Sequence, residues 1–332
     1  MMAMKQNDVF LRLASWTAAL AVAPALFSAS ATAQTAWPSK TMRIVVPYPA
    51  GGNVDLLGRL IGPKLSEALG QPIVIDNKPG AAGAIGATDA ARSEPDGHTL
   101  LIGDIATHAI TPALQDKLPY NPLTDFTPVM RLTSVSLLLV INPKNPAKDL
   151  AALLADAKAN PEKVTYASAG VGTPQQLAFE LLKEKTGIKA THVPYRGSAP
   201  AINDVIAGHV TAMIDGTAVP MAREGTLRAL AVTGAKRSAA MPDVPTVAEA
   251  GVPGYEFASW HGVFVPAGTP PAVVERLNAE LNKIVADPAV RERMAALNIE
   301  LVGGTSAAFG DFIKAESGKI AELVRISGAK AN

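Results

Sequence analysis

The chain contains no cysteine, which excludes a disulfide framework and a thiolate metal site. It also leaves no residue for lipid attachment behind an export signal. Of the five histidines, none has a partner at i,i+4, and no His-Glu-x-x-His occurs, so nothing in the spacing indicates zinc. An excess of one charge is missing too: 30 Lys and Arg face 29 Asp and Glu, for a net charge of +1. With no Lys/Arg cluster, nucleic acid and anionic membrane are poor partners. The run Gly80-Ala81-Ala82-Gly83-Ala84-Ile85-Gly86 is glycine-rich but lacks Gly-x-Gly-x-x-Gly spacing, and there is no P-loop Gly-Lys-Ser/Thr. Ser168 follows Tyr166-Ala167, where a nucleophile elbow needs glycine at the first of those positions. Dinucleotide, nucleotide and serine-hydrolase chemistries therefore have no motif here.

What is present begins with an N-terminal address. Lys5 and Arg12 precede an apolar run over 13–27, broken by Ser15, Thr17 and Pro24, and then Ala31-Thr32-Ala33. That order is a secretory signal peptide with cleavage expected after Ala33, and the run is short for a membrane span. Removing Lys5, Asp8 and Arg12 leaves 28 basic and 28 acidic residues. Export without disulfides fits a bacterial periplasm. A mature chain of roughly 300 residues favours two domains.

From Trp37 onward β-rich runs alternate with helical periodicity. Strands are expected at 42–46, 73–75, 99–102, 137–141, 164–167, 191–193, 211–214 and 257–265. Helices are expected at 53–69, 84–92, 150–159, 175–185, 199–207, 271–286 and 307–324. In the first helix Val54, Leu57, Ile61, Leu65 and Leu69 share one face, Asn53 or Asp55 could cap its start, and Gly70 could end it. Apolar strands joined by helices indicate an α/β fold with parallel sheets covered on both faces. The turn-rich segment 141–150 and the segment 250–255 are candidate crossings between two lobes, the geometry of a hinged cleft. The expected lobes are 37–141 with about 256–305, and 142–255 with about 306–332, after a signal peptide at 1–33.

Small, polar or glycine-rich turns follow the strands: Ala50-Gly51-Gly52, Asp104-Ile105-Ala106-Thr107, Ser168 through Gly172 and Thr173, and Asp215-Gly216. Ligands of open α/β sheets bind beyond the carboxyl ends of the strands. Helix starts there attract an anion without any cationic side chain. A small carboxylate is the expected ligand, with Ala50, Gly51, Gly52, Asp104, Ile105, Thr107, Ser168, Gly172, Thr173 and Asp215 as the expected contacts. Asp215 could instead cap the next helix. His108 is the loop histidine to consider near a ligand; His192 reads as a packed strand residue.

These segments together resemble the Bug family, the receptors of tripartite tricarboxylate transporters. The resemblance rests on Val45-Val46-Pro47-Tyr48-Pro49-Ala50-Gly51-Gly52, Asp76-Asn77-Lys78-Pro79-Gly80-Ala81-Ala82-Gly83 and Pro95-Asp96-Gly97-His98. It continues through Tyr166-Ala167-Ser168-Ala169-Gly170, Val193-Pro194-Tyr195-Arg196-Gly197-Ser198 and Pro242-Asp243-Val244-Pro245-Thr246. It implies a two-lobed periplasmic-binding-protein fold of type II, the Venus-flytrap arrangement, with no enzymatic activity and no cofactor. It further implies a monomeric periplasmic receptor that passes its ligand to membrane transporter subunits, with the first glycine loop holding a ligand carboxylate through backbone amides. In amino-acid-binding members an aspartate like Asp215 takes the ligand ammonium. Asp104 stands where the family commonly has a small hydroxyl residue, and a second acid would repel a dicarboxylate; on that ground a monocarboxylate is expected. A ligand-presenting sensor subunit and an exported hydrolase are the alternative readings.

Overall fold

In the computed structural model, residues 37–115, 117–296 and 299–330 are described. The expected signal peptide and its cleavage point after Ala33 lie outside them. Strands are β1 (Met42–Val46), β2 (Ile73–Asn77), β3 (Thr99–Asp104), β4 (Phe126–Ser136), β5 (Leu138–Ile141) and β6 (Thr165–Ser168). They continue with β7 (Thr191–Pro194), β8 (Ala212–Asp215), β9 (Arg228–Val232), β10 (Ala258–Pro266) and β11 (Glu300–Leu301). Helices are α1 (Asn53–Leu69), α2 (Ala84–Ala91), α3 (Thr111–Leu114), α4 (Leu150–Ala159) and α5 (Pro174–Thr186). Then come α6 (Ser198–Ala207), α7 (Val219–Arg223), α8 (Pro271–Ala286), α9 (Pro288–Ala296) and α10 (Ser306–Ser327).

The strands form two sheets, in the orders β11-β4-β10-β3-β1-β2 and β7-β6-β8-β5-β9. Both are mixed rather than wholly parallel. β1 pairs in parallel with β2 and β3, and β6 with β7 and β8. β10 runs antiparallel to β3 and β4, and β5 antiparallel to β8 and β9. Parallel pairs need helical crossovers, while a returning chain can join antiparallel. The antiparallel members are the strands on which the chain enters the second sheet and comes back from it.

The chain leaves the first sheet at Leu137, between β4 and β5, upstream of the turn-rich 141–150 segment. It returns over 233–257. These crossings lie side by side: Leu137 N–H donates to Thr233 Oγ1 (2.8 Å), Thr233 N–H to Leu137 O (2.9 Å) and Phe257 N–H to Thr233 O (2.8 Å). α10 packs against β4 of the first sheet and against α5, which itself packs on β6 and β8 of the second. One buried apolar cluster runs from Val45 and Leu101 through Trp260 to Tyr166 and Ile214. Each large side chain removed from water there contributes ~1.5–3 kcal/mol.

α1 shows how the sequence makes such an element. Its apolar stripe Val54, Leu57, Ile61 and Leu65 is buried, and Gly70 ends it in a left-handed conformation (φ 69°) that suits glycine. Its start carries no side-chain cap. Asp55 instead turns back to Gly51, two residues before the helix, as described next.

Candidate functional site

A cavity of about 680 Å³ lies where the two sheets face each other across the crossings. Val135 and Leu137 from the crossing and Ser259 and His261 from β10 form part of its wall. Leu56 from α1, Pro174 and Gln175 from α5, and Gly216, Thr217 and Pro220 from the turn into α7 also line it. The start of α5 therefore borders the cavity, and α1 reaches it with Leu56 at the end of its first turn; neither helix has a side-chain cap. The Thr173 hydroxyl, at the cap position of α5, donates to Gly170 O (2.8 Å) instead. Free N–H groups in the first turn of each helix leave a positive end suited to an anion.

Asp215 is the one expected contact that lines the cavity. It is 1% exposed, and its carboxylate is surrounded by neutral donors. Ser198 Oγ (2.6 Å) and Gln175 Nε2 (3.0 Å) donate to Oδ2, and Thr217 N–H (2.7 Å) and Oγ1 (2.6 Å) donate to Oδ1. It thus ties the starts of α5 and α6 to the turn after β8, and the capping role is realised.

Ala50, Gly51 and Gly52 form an exposed turn immediately before α1. Gly51 N–H donates to Asp55 Oδ2 (2.8 Å). Asp55 is 2% exposed and also accepts from Arg59 Nε (2.8 Å) and Asn77 Nδ2 (3.0 Å). These donors, Arg59 first, hold its carboxyl down at about 2, below the 3.8 of a free aspartate. Asp55 thus anchors the glycine turn, a role its apparent capping position concealed.

The other expected contacts do not line the cavity. Asp104 closes β3, buried, with Oδ2 accepting from the Tyr48 hydroxyl (2.7 Å) and Oδ1 from Thr107 N–H (2.8 Å) and Oγ1 (3.0 Å). Ile105 is packed in the core cluster and Thr107 is fully buried. Ser168 is buried, sharing a hydrogen bond with His192 Nε2 (2.6 Å) and donating to Gly170 O (2.9 Å). Gly172 packs against Leu114 of α3. The alternation of strand and turn is right for these residues, but their side chains serve loop architecture.

His108 is in the core: fully buried, stacked on Phe264 with ring centroids 3.8 Å apart, and driven by burial down to about 3. His192 stacks on Tyr166 (4.8 Å), as a packed strand histidine should. The histidine that does line the cavity is His261, whose Nδ1 shares a hydrogen bond with Thr133 Oγ1 (2.7 Å). Burial lowers its pKa, partly countered by Asp104 across the β3–β10 pair, so it faces the cavity neutral. Arg223 and Glu224, exposed, stand at the edge of the cavity. Gln175 was legible as the first residue of a predicted helix; no sequence signal marked His261 or Arg223.

Among the described residues no group of three or more His, Asp or Glu is arranged to hold a metal, and no helix is long and apolar enough to cross a membrane. The cleft mixes apolar walls (Leu56, Val135, Leu137 and Val219) with the polar groups of Gln175, Asp215, Thr217 and His261, and the Arg223 guanidinium stands at its edge. With the start of α5 beside it, this suits binding an anion that has an apolar body.

The profile of the tripartite tricarboxylate transporter family receptor matches residues 57–328. BugT of Bordetella pertussis is 37% identical over 312 residues, which cover 93% of this chain and 95% of BugT. Rpa4515 of R. palustris, solved with adipate, is 36% identical with a TM-score of 0.76, covering 89% of this chain and 99% of that one. MatC from Rhodopseudomonas palustris, with bound malate, is 35% identical with a TM-score of 0.71, covering 86% and 99%. With the two-sheet α/β fold and its cleft, these matches show that the chain belongs to the Bug family of tripartite tricarboxylate transporter receptors.

Proposed function

We propose that this receptor captures a small organic carboxylate in the 680 Å³ cleft and presents it, in the periplasm, to the membrane subunits of a tripartite transporter. It acts as a monomer and does no chemistry on the ligand. The observation that carries this reading is the uncapped start of α5 at the cavity, with the uncapped first turn of α1 reaching it through Leu56. Their N–H groups and helix dipoles hold a carboxylate without desolvating a cationic side chain. Ala50, Gly51, Gly52 and Thr173, which do not line the cavity, lie immediately before those helices, and their backbone reaches the ligand when the sheets close on it.

The sequence-based preference for a monocarboxylate is withdrawn. It rested on Asp104 repelling a second acid, yet that carboxylate points into its own loop and to Tyr48, and two relatives are solved with the dicarboxylates adipate and malate. Arg223, at the edge of the cavity, takes the distal carboxylate. Native mass spectrometry of the exported protein, followed by a thermal-shift screen of mono-, di- and tricarboxylates, tests the reading. A co-purified acid, or stabilisation by one carboxylate class, supports it. The absence of any response across all classes would refute it.

A further inference from the structure

A second polar pocket, of about 450 Å³, lies on the reverse side of the crossing from the cleft. Side chains alternate across a strand: Val135 and Leu137 line the cleft, whereas Ser134 and Ser136 line this pocket. Its walls come from β4, from the 234–239 loop that follows β9, and from β10, α9 and β11. The loop is pressed against the strand, because a Cβ on Gly234 would collide with Ser136 Oγ.

Among the described residues, Arg131, Lys236, Arg291, Glu256 and Glu300 line this pocket without a direct ion-pair partner. Arg131 lines it, half-buried, its guanidinium carbon 3.9 Å above the Phe312 ring. Its Nε–H is buried without an acceptor. Burial lowers its pKa, and attraction from Glu316, Glu256 and Glu300 does not restore it. The side chains of Lys236 and Arg291, exposed at the rim, join no ion pair or hydrogen bond among the described residues. Arg237, by contrast, is engaged by Glu249 (2.8 Å). Two carboxylates, Glu256 and Glu300, share the rim and are likewise without ion-pair partners.

We propose that this reverse-side pocket is a second anion site, centred on Arg131, for a small oxyanion that also carries an O–H group: monohydrogen phosphate or a hydroxycarboxylate. Arg131, Lys236 and Arg291 supply charge-assisted donors. Glu256 and Glu300 accept the ligand's O–H, and they repel an oxyanion that has no proton to give. The site therefore separates phosphate from sulfate, which has the same shape and a similar charge. It does not depend on what the cleft binds.

The test is isothermal titration of the exported protein near pH 7.5 with inorganic phosphate, with sulfate as control. One equivalent of phosphate should bind with sub-millimolar affinity, and sulfate at least tenfold more weakly. Lys236→Ala should weaken phosphate several-fold and Arg131→Gln should abolish its binding, while the thermal shift given by the cleft carboxylate stays unchanged. Because Lys236 is exposed, its variant carries the test even if the Arg131 variant fails to fold. Competition identifies the occupant: L-malate displacing phosphate at concentrations below phosphate's own Kd names a hydroxycarboxylate, and weaker displacement names phosphate. No phosphate binding, equal sulfate binding, or phosphate binding indifferent to both substitutions would overturn the proposal.

Discussion

Replacing Asp55 by Asn removes the anchor of the turn before α1 while keeping the side chain's shape. Three donors converge on this carboxylate: Gly51 N–H, Arg59 Nε and Asn77 Nδ2. An amide offers one acceptor oxygen and places N–H groups against at least one of these donors. The displacement of the carboxyl from 3.8 to about 2 corresponds to roughly 2.4 kcal/mol. The Arg59 side chain is 56% exposed, and screening of that partner reduces the expected loss to about 1.5 kcal/mol. The sign follows from the depressed pKa. The contribution is fully present above 3.8 and is lost as pH falls through about 2. Denaturant unfolding of both proteins should therefore show a gap of about 1.5 kcal/mol at pH 7 that narrows below pH 4, with a Tm difference of roughly 2–3 °C at neutral pH. The carboxylate-induced thermal shift should shrink as well, because the turn beside the cleft is no longer held. Equal stability of the two proteins at pH 7, or a gap that persists unchanged at pH 2, would refute the reasoning.

Asp215→Ala strips a buried acceptor from four donors and should lower stability by about 3 kcal/mol and abolish the ligand-induced thermal shift; retained binding would show that the post is dispensable. Asp104→Ser leaves the Tyr48 hydroxyl and Thr107 N–H without their acceptor and should destabilise by about 2 kcal/mol. It should bring no selective gain in dicarboxylate affinity, and a titration showing such a gain would restore the repulsion argument. Arg223→Gln should weaken a dicarboxylate about fivefold to tenfold and leave its monocarboxylate analogue unaffected, with the difference fading at high salt; equal effects on both ligands would remove Arg223 from the site.

Local physics made much of this protein legible in advance. The bounds of β1 and α1 follow from a short apolar run and from a 3.6-residue stripe closed by Gly70. The missing cysteines, histidine pairs and phosphate loops excluded whole chemistries, since those depend on residues being present at all. β4 was not anticipated: with Pro128, Arg131 and several hydroxyl residues along its length it shows no simple alternation, and its pairing to β10 is irregular at two points. Which turn residues reach the cleft was decided by the tertiary structure. Asp104 and Asp215 both end apolar strands, and nothing local separates them. Register places Asp104 opposite His261 on the same face of the sheet, yet the Asp104 carboxylate is taken up by Tyr48 and Thr107, and it is His261 that lines the cavity. The point of crossing, Leu137 and not the turn-rich segment after Ile141, depended in the same way on hydrogen bonds to Thr233, almost a hundred residues later in the chain. The sequence by itself determined the longer apolar strands, the periodic helices and the excluded chemistries, because these rest on neighbours along the chain. The cleft rests on neighbours across it, and only the folded arrangement could choose them.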